Sequence, residues 1–197
     1  MKKMLAIILA GLWVGSMAGC GPSEDPEVRM GNMFFKNKQF DSACQAYEKA
    51  AAKNPKNLDV IRANFKNSYY YYGGQLEMSD SLDSAIKYYE KGFALEPTDV
   101  GMCNKLATFY WDKKDYAGAE KYLARLAELD GEAPDSEKKW ALMGEDYYNA
   151  GYAQFHIGKY AEAVASFKNC LKVSPKGKKA GKCKEALGAA QEKLNKK

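Results

Sequence analysis

Five positions recur at fixed intervals in four segments of the chain, and this repetition constrains the fold more than any other feature. Each segment has a small residue, a large apolar residue 9 positions later, an alanine after 12, a second large apolar residue after 16 and a proline or glycine after 24. In order, the four sets are Gly31, Phe40, Ala43, Tyr47 and Pro55; Gly73, Leu82, Ala85, Tyr89 and Pro97; Ala107, Tyr116, Ala119, Leu123 and Gly131; Gly151, Tyr160, Ala163, Phe167 and Pro175. A repeated unit of this kind predicts a stack of similar structural elements.

The spacing favours helical hairpins. The glycine or alanine that opens each set lets a second helix approach closely, and the alanine of that second helix packs against it. The large residue one turn beyond that alanine lies on the same helix face and fills the seam. The final proline or glycine is expected to end the second helix, because proline cannot continue the hydrogen-bond ladder and glycine tolerates a left-handed cap.

This pattern resembles the tetratricopeptide repeat (TPR), a 34-residue helix-turn-helix unit. Residues 38–50 and 158–167 match its second-helix half closely, although other residues replace the family's early tryptophan, namely Glu27, Tyr69, Cys103 and Tyr147. The resemblance covers residues 24–177 and implies an all-α fold, a right-handed solenoid of about four hairpins with a C-terminal capping helix.

We place the repeat domain at residues 27–177, with repeat frames at 24–57, 66–99, 100–133 and 144–177. Residues 58–65 and 134–143 fall between frames and are expected to lengthen the first helices of repeats two and four. Residues 178–197 are predicted to form the basic capping helix, because the ends of a repeat stack need a polar cover. Its apolar stripe consists of Ala180, Cys183, Ala186, Leu187, Ala190 and Leu194.

The amino terminus is typical of a bacterial lipoprotein. Residues 1–19 contain two lysines and an apolar run of roughly 15 residues, too short to span a bilayer, and they predict a signal peptide. Residues 17–20 resemble the lipobox, in which Cys20 becomes the lipidated first residue, although Met17 stands where leucine is usual. An ordinary signal peptide with an incidental Cys20 is the alternative. Residues 20–26 form a short linker, and Gly21 in place of aspartate favours the outer membrane, with the domain facing the periplasm.

Charge is divided unevenly along the chain. Residues 168–197 hold ten lysines and two glutamates, whereas residues 20–167 carry 18 basic and 23 acidic side chains. A lysine run of this kind is usually a solvated helix face. We therefore expect no nucleic-acid partner, and contact with the membrane through the lipid anchor only.

The TPR resemblance implies that the first helices line a concave groove. Aromatic side chains at groove positions offer a large contact area for a protein or peptide partner. The candidate partner groove consists of Phe35, Tyr70, Trp111, Tyr148, Tyr152 and Phe155. The alternative is that many of these rings pack between neighbouring repeats. The basic clamp that some TPR domains use for chaperone carboxyl termini is not expected, since Asn32 alone fits it.

Catalytic and metal-binding patterns are scarce. The chain contains no HExxH, CxxC, P-loop or GxGxxG motif, and His156 is its single histidine, so we predict no catalytic residue, no metal site and no cofactor. Cys170 and Cys183 lie at nearly equal distances from Pro175, and two antiparallel helices could bring them together as a disulfide. Cys44 and Cys103 are expected to be small core residues.

These features together predict a non-enzymatic, lipid-anchored periplasmic scaffold or adaptor that binds protein partners in envelope assembly. A pilotin-like factor for type IV pilus or secretin biogenesis is the narrower alternative. A self-associating structural lipoprotein, with its groove filled by its own tail or a second copy, is an alternative of another class.

Overall fold

The computed structural model describes residues 25–132 and 136–196, and over these residues the chain forms nine α-helices and no strand. The helices are α1 (Pro26–Lys36), α2 (Phe40–Lys53), α3 (Asn57–Met78), α4 (Leu82–Leu95), α5 (Val100–Asp112), α6 (Tyr116–Glu132), α7 (Glu137–His156), α8 (Tyr160–Val173) and α9 (Ala180–Asn195). The prediction of an all-α hairpin solenoid is confirmed. The predicted signal peptide and Cys20 lie outside the described residues.

Consecutive helices pair as hairpins, α1 with α2, α3 with α4, α5 with α6 and α7 with α8, and each hairpin packs on the next. Helices α3 and α7 are the longest, at 22 and 20 residues, and they include residues 58–65 and 137–143. No helix within the described ranges combines the length and apolarity that a membrane span requires.

The hairpins close where a glycine of the first helix meets an aromatic ring of the second. A Cβ atom added to Gly31 would lie 2.4 Å from Cε1 of Tyr47, and the corresponding distances are 3.0 Å for Gly73 to Tyr89 and 2.8 Å for Gly151 to Phe167. In these three repeats, the ring one turn beyond the alanine of the second helix therefore makes the close contact with the glycine. Repeat three has Ala107 at the small position, and there the large residue is Leu123; both are buried in the central core.

The turn within each hairpin has the same backbone shape in all four repeats. Lys38, Asp80, Lys114 and Gly158 have positive φ angles of 58°, 60°, 58° and 80°. Each lies 7 positions after the small residue of its repeat, which shows that the four hairpins share one register. Only Gly158 adopts this left-handed conformation without the steric cost that a Cβ atom brings.

Side chains cap the amino ends of three first helices. Asp25 accepts a hydrogen bond from the Glu27 amide at 2.9 Å, and Asp99 accepts one from the Met102 amide at 2.9 Å. Ser136 caps α7 by accepting from the Lys139 amide at 3.0 Å. These caps fix where α1, α5 and α7 begin.

The second helices end before Pro55, Pro97 and Pro175, as predicted. The prediction that Gly131 ends its helix was wrong, since α6 continues to Glu132. Glycine, unlike proline, keeps the amide hydrogen that the helical ladder needs, and it therefore permits an end without imposing one.

Three hydrophobic clusters follow one another along the solenoid, centred on α1–α3, on α4–α7 and on α8–α9. Helix α9 covers the last cluster with Ala180, Cys183 and Ala190, which are buried. Leu194, predicted to complete that stripe, lies in the last turn of α9 and is instead 39% exposed.

Candidate functional site

Three adjoining hollows form a trough along the first helices α3, α5 and α7, with volumes of about 490, 370 and 300 Å³. The first and second share Tyr70, Glu77 and Lys105. The second and third share Asn104 and Thr108. Because neighbouring hollows share walls, they make one continuous surface, which we call the groove.

The amino-terminal part of the groove is aromatic. The rings of Phe40 and Tyr71 stack with centroids 4.8 Å apart, and Phe35 meets Phe40 edge-on at 5.8 Å. Tyr71 is 48% exposed and Met78, in the same hollow, is 90% exposed. Apolar side chains that remain this exposed beside a hollow provide a surface on which another molecule can bury area.

An ion pair crosses the middle of the groove. Lys105 Nζ lies 3.0 and 2.9 Å from the two carboxylate oxygens of Glu77, and the Tyr89 hydroxyl donates to the same carboxylate at 3.0 Å. Burial, followed by the hydrogen bond to Glu77, raises the pKa of Tyr89, so its hydroxyl stays protonated and keeps donating. Next to this fixed pair, Asn104, Thr108 and Asp112 present exposed polar side chains.

The carboxyl-terminal part combines a tryptophan with polar groups. Trp111 lines the hollow, and its ring lies 5.4 Å from that of Tyr152 and 5.7 Å from that of Tyr116. His156 stacks on Tyr116 at 4.6 Å. The polar lining here consists of Asn104, Thr108, Asp146, Asn149 and Lys179.

Asp146 is the unusual titratable group of the groove. Burial raises the pKa of its carboxyl well above the ordinary range, and the hydrogen bond and negative charge of Asp130 act in the same direction, as does Glu145. A protonated Asp146 can donate a hydrogen bond to Asp130, which neither carboxyl can do when both are ionised.

The six aromatic residues predicted for the groove are divided between two roles. Tyr70 and Trp111 line the hollows, and Tyr152 lies against Trp111. Tyr148 and Phe155 pack against the carboxyl-terminal cluster, where the Tyr148 ring is 6.1 Å from Phe167. Phe35 packs partly in the amino-terminal cluster. Tyr71, which stacks on Phe40 of α2, and Met78 also line the groove. Of these two, only Tyr71 has a sequence signal, the run of four tyrosines at residues 69–72.

The four cysteines of residues 25–132 and 136–196 lie away from the groove. Cys170 and Cys183 form a disulfide that joins α8 to α9, with Cα atoms 6.7 Å apart. Cys44 and Cys103 are free and buried, and burial raises the pKa of each thiol to about 12, so both stay protonated at neutral pH. Among residues 25–132 and 136–196, no group of three or more histidine, cysteine or acidic side chains is placed to hold a metal ion.

Comparison with known proteins identifies the repeats. Family models described as tetratricopeptide repeat match residues 28–57, 100–132 and 147–176. A TPR repeat-containing protein of Methanocaldococcus jannaschii is 26% identical over 163 residues, which cover 76% of this chain and 25% of that protein. The RNA polymerase-associated protein CTR9 of Saccharomyces cerevisiae is 22% identical over 153 residues, covering 75% of this chain and 14% of that protein. The chain thus spans a quarter or less of the length of these two relatives.

Solved structures share the architecture. MamA from strain AMB-1 superposes with a TM-score of 0.51 at 19% identity, covering 86% of this chain and 81% of MamA. The N-terminal domain of stress-induced protein-1 from C. elegans has a TM-score of 0.51 at 19% identity, covering 64% of this chain and 96% of that domain. Matches at this identity establish the fold alone. The chain therefore contains tetratricopeptide repeats and adopts their helical-hairpin solenoid fold.

Proposed function

We propose that the chain is a non-enzymatic scaffold whose groove binds a segment of another protein. The observation that carries this proposal is the continuous groove of α3, α5 and α7, with exposed Tyr71 and Met78 at one end and the polar side chains around Trp111 at the other. Aromatic anchors beside polar groups are the usual composition of a protein-binding hot spot.

The dimensions of the groove fit a polypeptide. Its three hollows share lining residues, so one extended segment can run from α3 past α5 to α7. The ion pair of Glu77 with Lys105 divides the groove at its centre. A partner segment would then place apolar side chains on the Tyr71 side and polar ones near Asn104 and Asn149.

Photo-crosslinking in the native host tests this proposal. A photoreactive residue replaces Tyr71 or Asn104, both exposed in the groove, and the matched control carries it at Lys87, which is exposed on the second helix α4. We expect both groove positions to label one segment of the same partner, and the control to leave that segment unlabelled. A synthetic copy of the segment should bind the purified protein. It should bind the Tyr71→Ala variant at least about fivefold more weakly, a loss of about 1 kcal/mol in binding free energy.

Two results would count against the scaffold. Equal labelling from Lys87 would show that the groove does not select the partner. Adducts containing only a second copy of this chain would assign the groove to self-association, which is the structural-lipoprotein alternative.

We further propose that the scaffold works in the bacterial cell envelope, held at the outer membrane by lipid on Cys20 and facing the periplasm. The support is the sequence of residues 1–21, which resembles a lipoprotein signal. Two or three acyl chains anchor a protein stably, whereas one does so only marginally. Palmitate labelling should disappear in a Cys20→Ala variant, and labelling that persists there would contradict the anchor. The pilotin-like role is the narrower form of this proposal, and it requires that secretin assembly fail when the gene is deleted.

A further inference from the structure

One end of the solenoid concentrates positive charge. Residues 168–184 contain seven lysines and no acidic residue. Six of these lysines are exposed, and none of the six forms an ion pair with a carboxylate of the described residues. We call this set the basic patch, and it consists of Lys168, Lys172, Lys176, Lys178, Lys182 and Lys184.

The disulfide holds the two halves of the basic patch together. Cys170 lies two residues from both Lys168 and Lys172 on α8, and Cys183 lies between Lys182 and Lys184 on α9. The two cysteine Cα atoms are 6.7 Å apart. The four flanking lysines therefore have Cα atoms within about 16 Å of one another, given ordinary helix geometry. Lys176 and Lys178 lie on the turn that connects the two helices.

Few negative groups oppose this charge. The acidic residues of α9 are Glu185 and Glu192, and Glu192 is paired with Lys196. Glu145 of α7 borders the same small hollow as Lys178. The Nζ atom of Lys179, the seventh lysine, lies over the face of the Tyr148 ring, 4.8 Å from the ring centroid. The six lysines of the patch are exposed, and no ion pair with a carboxylate of the described residues neutralises them.

We propose that the basic patch docks this end of the protein on an anionic phospholipid surface. Clusters of four to eight lysines are attracted by the diffuse field of acidic headgroups, and no shaped pocket is needed. The remainder of the chain supports a single docking orientation, because residues 20–167 carry five more acidic than basic side chains and are repelled by the same surface. This proposal departs from the expectation that the lipid anchor is the protein's only contact with the membrane.

The composition of the patch favours a lipid surface over nucleic acid. Residues 168–197 contain no arginine and no aromatic residue. Single-stranded nucleic acids are bound by aromatic stacking platforms, and phosphate recognition with defined geometry uses the arginine fork. Lysine alone supplies mobile point charges, which suit a fluid array of headgroups.

Vesicle co-sedimentation tests the proposal. The chain from residue 20 onward, with Cys20→Ala, keeps every described helix and removes any contribution of the anchor. We expect it to bind vesicles of phosphatidylglycerol with phosphatidylcholine, to ignore vesicles of phosphatidylcholine alone, and to be released by high salt. Each lysine near the surface contributes about fivefold. Four such contributions multiply to roughly 600-fold, so the quadruple variant Lys168→Gln, Lys172→Gln, Lys176→Gln and Lys182→Gln should bind at least about a hundredfold more weakly.

A matched control separates the patch from net charge. The variant with Lys36→Gln, Lys49→Gln, Lys56→Gln and Lys87→Gln removes the same charge from exposed positions on α1, α2, α4 and the α2–α3 turn, and it should bind as the parent does. Circular dichroism checks that both variants remain helical. Equal weakening in the two variants, or no binding to phosphatidylglycerol, overturns the proposal. Tighter binding to single-stranded DNA than to vesicles, or patch-dependent self-association in sedimentation, would assign the patch to another partner and also overturn it.

Discussion

Replacing Gly31 with alanine isolates the contact that closes each hairpin. The new Cβ atom would lie 2.4, 2.5 and 3.0 Å from three carbons of the Tyr47 ring. Carbon atoms in contact are normally about 3.5–4.0 Å apart, so the ring must move by about 1 Å. Tyr47 is fully buried and its hydroxyl donates to Asn32 Oδ1 at 2.7 Å, which leaves the ring little room.

The magnitude follows from two opposing effects. Alanine is a better helix former than glycine by about 0.8–1.0 kcal/mol, which favours the variant. Overpacking a filled core costs about 1–3 kcal/mol, and a weakened Tyr47 hydrogen bond adds about 0.5–1.5 kcal/mol. We expect Gly31→Ala to lower the free energy of unfolding by about 1–3 kcal/mol. The exposed Gly188 of α9 is the matched control, since nothing lies within 4 Å of its added Cβ, and Gly188→Ala should stabilise by about 0.5–1 kcal/mol.

Urea unfolding followed by circular dichroism measures both variants. A second test uses the chain's own third repeat, in which Ala107 occurs with Leu123. Adding Tyr47→Leu to Gly31→Ala reproduces that combination, and the double-mutant cycle should show favourable coupling of about 1 kcal/mol or more. If Gly31→Ala were as stabilising as Gly188→Ala, the close glycine–ring contact would not determine the packing of the hairpins.

Three further changes probe the rest of the fold. Cys170→Ala with Cys183→Ala removes a cross-link between residues 13 apart and should lower the free energy of unfolding by about 3 kcal/mol; an unchanged melting temperature would contradict this. Gly158→Ala forces a Cβ atom into the turn at φ 80° and should cost about 1–2 kcal/mol in urea unfolding, whereas no loss would mean that the turn relaxes. The pKa of Asp146 is higher in the folded protein than in the unfolded chain, so between these two pKa values the folded state holds an extra proton. In that range Asp146 makes the free energy of unfolding fall as pH rises, by at most about 1.4 kcal/mol per pH unit. Asp146→Asn should flatten that decline and raise the melting temperature at alkaline pH. Asp112→Asn, in the same groove, should leave the decline unchanged. A decline that persists in Asp146→Asn would show that Asp146 does not cause it.

The architecture was predictable because its determinants are local. The interval from Gly31 to Tyr47 fixes which residues meet inside one hairpin, and the sequence states that interval four times. The Cys170–Cys183 pairing was predictable for the same reason, since both residues belong to one hairpin about Pro175. The pattern could not predict which atoms touch. In the structure the ring of Tyr47, one turn beyond Ala43, contacts Gly31.

The groove was predictable only in part, because it depends on packing between hairpins. Tyr148 and Phe155 occupy groove positions in the repeat frame, yet their rings turn toward the carboxyl-terminal cluster because α8 and α9 offer apolar surface there. Tyr71 and Met78 line the same hollow of the groove, and Tyr71 stacks there on Phe40 of the preceding hairpin, a contact that the interval within one repeat does not specify. The pairing of Asp146 with Asp130 joins helices of different repeats, and no sequence interval marks it.

The two proposed membrane contacts lie at opposite ends of the solenoid, and this determines how the protein would rest on a bilayer. A lipid on Cys20 is at most about 20 Å of extended chain from α1, whereas the basic patch is on α8 and α9. Both contacts can be made together only if the solenoid axis lies along the membrane. Fluorophores attached through cysteine at Lys36 on α1 and at Gln191 on α9, both exposed positions, should then be quenched alike by a headgroup quencher in phosphatidylglycerol vesicles carrying the lipidated protein. Quenching at Lys36 alone would mean that the lipid holds the protein upright and that the lysines of α8 and α9 do not reach the surface.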